Sequence, residues 1–181
     1  MEGSQYRHIP ARLDNAWYHT YYPVVARTLK TAIKQTKPFK SPHEELILTL
    51  VRTSADLEHQ MAQHFKPFDL TTTQYNVLRI LRGAGREGLC RNEVGERLVR
   101  RVPDVTRLLD RMEEARLIER ERGGEDRRYV TTRLTPQGLA LVNRLDGEVA
   151  GFQARLVGHL TERQTRELIT LLESIHERTD E

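Results

Sequence analysis

Cysteine occurs once in this 181-residue chain, at Cys90, so no internal disulfide can form and a reducing compartment suits it. Lysine is absent from Asn92 to the C-terminus, where every fixed cation is an arginine. A planar guanidinium suits phosphate and guanine, but it suits ordinary surface ion pairs as well. Long apolar runs are also missing. The N-terminus has no continuous apolar stretch for a signal peptide, and no span reaches membrane length. The chain is therefore expected in the cytoplasm and off the membrane. No phosphate-cradling glycine loop, nucleophile elbow or zinc-hydrolase motif is present, so neither catalysis nor a cofactor is expected. The seven histidines are scattered, and His59 and His64 stand five apart, which does not place them on one helix face for chelation. No metal site is expected.

What is present fits a soluble helical protein. Hydrophobic residues make up 38% and charged residues 30%, a modest core that leaves room for burial between subunits. The net charge of +3 is small, so the placement of charge matters more than its total.

From Ala11 to about Gln35, Tyr18, Tyr21, Tyr22, Val25, Leu29 and Ile33 recur at helical spacing, with Pro23 predicting a kink or a break. Ser41-Pro42-His43-Glu44 reads as a helix start: serine cap, proline in the first turn, glutamate placed to reach back. Leu46, Ile47, Leu50, Val51, Leu57, Met61 and Phe65 follow as one apolar face, ended by Lys66 to Asp69. Thr71 to Gln74 repeats the capping-box spacing ahead of Tyr75, Val77, Leu78 and Leu81.

Residues 89–116 read as two short helices separated by Val99-Arg100-Arg101. The first turns Val94 and Leu98 inward. The second, opened by Pro103, has Val105, Leu108, Leu109 and Met112 on one face, with Thr106, Arg107, Asp110 and Arg111 largely off it. Beyond Ile118 the period changes to alternation. Glu119 to Arg122 and Arg127 to Leu134 flank Gly123 to Asp126, which predicts a hairpin with a glycine turn. Thr135-Pro136 and Thr161 to Gln164 then open two more amphipathic helices. The expected fold is mainly α with a small β-hairpin wing. It comprises an N-terminal helical extension over 1–40 and a winged helix-turn-helix with dimerisation helices over 41–178. The helix-turn-helix lies at about 89–116 and the wing at about 117–134.

The segment from Asp126 through Arg128, Leu134, Thr135 and Gly138 resembles the wing signature of the MarR family of transcriptional regulators. The run Asp104 to Glu113 resembles that family's recognition helix, and Leu70-Thr71 with Gln74 the start of its second core helix. The resemblance covers roughly Ser41 to Arg178. It implies a homodimeric repressor on a pseudo-palindromic operator in double-stranded DNA, released by a small aromatic or phenolic effector. It assigns Arg128 to the minor groove with Asp126 holding it in place, and Arg127 beside them. It places Asp104, Thr106, Arg107, Asp110 and Arg111 in the major groove, preceded by Arg100 and Arg101. A narrow A·T-rich minor groove attracts arginine on independent grounds, and a nearby carboxylate can fix a guanidinium's direction.

Two positions depart from the family pattern. Arg116 stands where a glycine usually ends the recognition helix, so it must take a left-handed conformation or the helix must end another way. Gly95 stands for a usual alanine, at a cost of about 1 kcal/mol in a helix interior.

Plainer readings compete. The arginines can be solvated charges paired with Asp104, Asp110 and Asp126, and Arg111 is as well suited to an internal acid as to DNA. Cys90 is a small half-buried residue or, less simply, a peroxide sensor, which would need a depressed pKa and exposure. Trp17, Tyr18, Tyr21 and Tyr22 suit packing against a partner subunit or lining a ligand pocket. The rival to a DNA-binding regulator is a winged helix used for protein contacts, which has no need of arginine at its wing.

Overall fold

The computed structural model describes residues 28–122 and 130–177. The chain falls into two compact units, residues 1–57 and residues 58–181. The predicted kink at Pro23 and the aromatic cluster at Trp17 to Tyr22 lie outside the described residues.

In the first unit a short helix, α1 (Leu29–Ala32), is capped by Thr28, whose Oγ1 accepts from Thr31 N. The next helix, α2 (Pro42–Phe65), begins as its sequence requires, with Ser41 Oγ accepting from Glu44 N at 3.2 Å. Glu44 does reach back, but to Lys40 N at 2.6 Å, one residue before the serine. The first turns of α2 leave Leu46, Ile47, Leu48 and Val51 exposed.

In the second unit the end of α2 turns Phe65 into the core. A 3-10 turn over Lys66–Phe68, closed by Asp69 at φ 54°, redirects the chain into α3 (Thr72–Ala84). The predicted capping box is present: Thr71 N donates to Gln74 Oε1 at 2.8 Å, and Gln74 N donates to Thr71 Oγ1 at 3.1 Å. Then come β1 (Leu89–Cys90), α4 (Arg91–Glu96), α5 (Val105–Glu114), β2 (Ile118–Arg122), β3 (Val130–Leu134), α6 (Pro136–Val157) and α7 (Glu162–Glu177).

The architecture is mainly α with one antiparallel sheet of order β1-β3-β2. The hairpin pairs Ile118 with Leu134 through Arg122 with Val130. Its extra strand, β1, pairs Leu89 with Thr132 and Cys90 with Thr131. That pairing ties the entry of the helix-turn-helix to the wing. Leu78 and Leu81 from α3, Leu109 and Met112 from α5, and Val142 and Leu145 from α6 are fully buried together. A bidentate ion pair clamps α3 to α6. Arg82 Nη1 and Nη2 donate to the two oxygens of Asp146 at 2.7 and 3.0 Å, and hold that carboxyl below its usual range. The last helix differs: no described residue of α7 is buried, and Leu168, Ile169, Leu171 and Leu172 stand exposed.

Candidate nucleic-acid interface

The helix carrying most of the proposed contacts is α5. Leu109 and Met112 anchor it in the core, and Thr106, Arg107 and Arg111 project from its other side into solvent. It starts one residue after Asp104, whose Oδ1 accepts from Arg107 N at 2.8 Å. Pro103 therefore precedes the cap instead of occupying the first turn. An aspartate can satisfy a free amide at the helix start, which proline cannot. The carboxylate also sits where the helix dipole favours a negative charge.

Before the cap, the connecting turn carries Arg100 and Arg101, both exposed. Arg100 Nη1 pairs with Glu58 Oε1 of α2 at 2.9 Å, in an ion pair open to water on both sides. Among the described residues no acid pairs with Arg101, Arg107 or Arg111. Asp110 is occupied differently. It faces Arg120 of β2, whose Nη2 reaches Asp110 Oδ1 at 2.6 Å and Glu113 Oε2 at 2.5 Å. Together these acids raise the already high affinity of the Arg120 guanidinium for its proton, the Glu113 hydrogen bond contributing most. Of the seven helix-turn-helix positions singled out, Thr106, Arg107 and Arg111 thus share an exposed face. Asp104 caps, Asp110 braces, and Arg100 is paired. Asp126, Arg127 and Arg128 lie outside the described residues.

Behind the wing sits a second brace, built from the threonine and glycine of its signature. Arg116 takes the left-handed conformation, φ 58°. Its carbonyl accepts from Thr135 Oγ1 at 2.6 Å, and the same hydroxyl oxygen accepts from Gly138 N at 3.0 Å to cap α6. A Cβ on Gly138 would come 2.0 Å from the Leu117 carbonyl oxygen, so only glycine lets α6 approach that closely. At Gly95 the reason is milder: a Cβ would lie 3.3 Å from Val105 Cγ2, where α4 meets α5.

A MarR family model matches residues 68–128, from the turn before α3 to the end of the helix-turn-helix and into the wing. Among solved structures, a MarR transcription factor from Planctomyces limnophilus is 38% identical, over 75% of this chain and 98% of that one, with a TM-score of 0.59. The chain belongs to the MarR family.

MarR family members are transcriptional regulators and not enzymes. The HTH-type regulator MhqR of Bacillus subtilis is 22% identical over 131 residues, spanning 72% of this chain and 89% of its own. The transcriptional repressor CouR, solved bound to a 23-mer DNA duplex, is 26% identical, with 78% of this chain and 99% of that one covered and a TM-score of 0.67.

On this MarR-family scaffold the sequence did not single out Arg91 or Arg120. Arg91 opens α4, and its Nη1 donates to Thr106 Oγ1 on α5 at 3.3 Å. The alternation of β2 was the available signal for Arg120, which shares a sheet face with neither Glu119 nor Glu121. Cys90 is half-buried at the start of α4, and its amide donates to Glu93 Oε2 at 2.7 Å, which draws the Glu93 carboxyl below its usual range. Among the described residues no three histidines, cysteines or acids cluster as metal ligands, and no helix is long and apolar enough to cross a membrane.

Proposed function

We propose that this MarR-family chain is a cytoplasmic homodimeric repressor, binding a pseudo-palindromic operator in duplex DNA and released by a small aromatic or phenolic effector. The observation that carries the DNA reading is the exposed cationic face of α5. Arg107 and Arg111 stand there unpaired among the described residues, on a helix whose other side is locked into the core. Unpaired arginines on a rigid helix suit base edges and phosphates. In this reading Arg107 and Thr106 face the major groove, with Arg111, Arg101 and Arg100 on backbone phosphates and Asp104 and Asp110 orienting the helix. Arg128 enters the minor groove, supported by Asp126 and flanked by Arg127. Similarity to CouR, a repressor solved on a DNA duplex, supports duplex DNA as the partner.

Two uncovered apolar faces support the dimer: Leu46, Ile47 and Val51 on α2, and Leu168, Ile169, Leu171 and Leu172 on α7. These side chains are about half exposed, so covering one is worth about 1 kcal/mol, which summed over both faces favours a second copy over exposure to water.

Binding-site selection on the full chain tests the reading, with light scattering in parallel. The expected result is an inverted repeat with half-site centres about 10 base pairs apart, bound by a dimer with steeply salt-dependent affinity. Arg107→Ala relaxes one symmetric pair of positions, while Arg128→Ala loses preference only in A·T-rich flanks. A flat salt response with no selected sequence would overturn the DNA reading and favour a winged helix used for protein contacts.

A further inference from the structure

We propose that Arg91 is a DNA-contacting residue that also orients Thr106: its guanidinium holds the threonine hydroxyl as a hydrogen-bond donor toward the major groove and offers its remaining N–H groups to a backbone phosphate. The inference rests on the DNA-binding reading and adds a residue and a polarity to it.

The geometry begins with the hydroxyl. A threonine inside a helix can return its proton to the carbonyl four residues back. Here Thr49 donates to Glu45 O, Thr165 to Thr161 O, and Thr170 to Arg166 O, at 2.7 to 3.1 Å. Thr106 is the second residue of α5, so the carbonyl four back belongs to Val102, ahead of the cap, and does not take its proton; its oxygen accepts from Arg91 Nη1 at 3.3 Å. A hydroxyl has one proton, and an oxygen facing an N–H turns that proton away from the donor. Thr106 is exposed on the same side of α5 as Arg107. Its proton is thus free to reach an acceptor on DNA. Purine N7, guanine O6 and thymine O4 offer acceptors in the major groove, whereas the amino groups of cytosine and adenine do not.

Arg91 has capacity left over. It is exposed, pairs with no acid among the described residues, and shares Asn92 Oδ1 between Nε at 3.3 Å and Nη2 at 3.0 Å. Five N–H groups make a guanidinium, and the structure engages three of them. The remaining pair and the full charge suit one phosphate. Its place at the first residue of α4, within hydrogen-bond reach of Thr106 in the first turn of α5, puts that charge at the start of α5 and not on a remote surface.

The experiment uses the full-length chain and the duplex recovered by selection on wild type, read by fluorescence anisotropy across a salt series. The variants are Arg91→Ala, Arg91→Lys, Thr106→Val and the Arg91→Ala/Thr106→Val double. Arg91→Ala is expected to weaken binding about tenfold and to reduce the slope of log affinity against log salt by about one. Arg91→Lys restores the slope. Thr106→Val relaxes preference at one acceptor-bearing base, and the double variant loses less than the product of the single losses, because each side chain acts through the other. Unchanged thermal midpoints show that folding is intact. Wild-type salt slope and affinity in Arg91→Ala overturn the phosphate contact, and multiplicative losses in the double overturn the orientation of Thr106. Failure of wild type to select any duplex overturns the DNA reading itself, a distinguishable result.

Discussion

Arg120 holds Glu113 at both ends: its Nε donates to Glu113 Oε2 at 2.9 Å, and its backbone N–H donates to Oε1 at 3.2 Å. One carboxylate is thereby shared between the wing strand β2 and the helix α5, with Asp110 as a second anchor on the same guanidinium. These bonds tie strand β2 to α5.

Breaking that brace should cost DNA affinity more than stability. The acids are more than a third exposed, so solvent screening limits the stability loss of Glu113→Gln to about 1 kcal/mol. In the proposed binding mode, loss of the brace leaves wing and helix without a single pose for neighbouring grooves. The expected outcome is a small drop in thermal midpoint with an order-of-magnitude loss of operator affinity. Anisotropy and thermal melts on Glu113→Gln and Arg120→Met decide it; a loss of stability with unaltered affinity would make the pair merely structural.

The clasp at Thr135 and Gly138 is expected to behave in the opposite way. Gly138→Ala must push its methyl group into the Leu117 carbonyl or unseat α6, at a cost of about 3 kcal/mol or more. Thr135→Val removes the α6 cap and the bond to Arg116 O, at about 1–2 kcal/mol, while Thr135→Ser keeps both. Chemical denaturation measures these losses directly. A wild-type midpoint for Gly138→Ala would show that α6 can shift without penalty.

What could be read from sequence was local. Thr71 with Gln74 and Thr161 with Gln164 announce their helices through pairs three residues apart, and both boxes form. The left-handed Arg116 was one of two alternatives, and its φ of 58° decides between them. What escaped was long-range. β1 is two residues long, too short for any alternation, and exists through pairing with Thr131 and Thr132 some forty residues on. The Arg100 pair with Glu58 joins positions 42 apart, and Arg82 reaches Asp146 across 64. Sequence offered each of these arginines several acids and no means to choose. Pro103 misled because proline and aspartate both mark helix starts, and the cap amide bond selects Asp104.

Near neutral pH a further group should set stability. His64 stacks on Phe152 at 4.4 Å and meets Phe65 edge-on at 5.3 Å, and its buried Nε2 has no hydrogen-bond partner among the described residues. Burial lowers its pKa below the ordinary 6.5; Arg155 lowers it further, and Glu148 opposes. The unfolded chain therefore takes up this proton more readily than the folded one. Stability is full above about 6.5, falls as pH drops through that value, and levels off below the folded pKa. His64→Phe keeps the stacking and removes the titration, so its thermal midpoint should fall less between pH 7.5 and about 5.5. Parallel pH dependence in the two proteins would place the titrating group elsewhere.

Asp104 poses the sharpest choice, because a carboxylate at this position can cap the helix, read a base, or do both. Its Oδ1 is committed to Arg107 N at 2.8 Å, while the side chain remains exposed beside Arg107 and Thr106. Asparagine caps about as well as aspartate and carries no charge, so Asp104→Asn separates the two roles. If capping is the main role, Asp104→Asn keeps its stability to within the few tenths of a kcal/mol that the helix dipole supplies at an exposed site. It should then bind DNA more tightly than wild type, most clearly at low salt, because one negative charge has left a surface that faces phosphates. Asp104→Ala should lose about 1 kcal/mol of stability, since the amides of the first turn lose their acceptor. If the carboxylate accepts from a cytosine amino group, the signs differ: Asp104→Asn would weaken binding and relax preference at one C·G pair. The structure favours the first outcome, because the bonded oxygen points into the helix start. Anisotropy on the selected duplex and on its C·G-substituted versions, with melts alongside, separates the two.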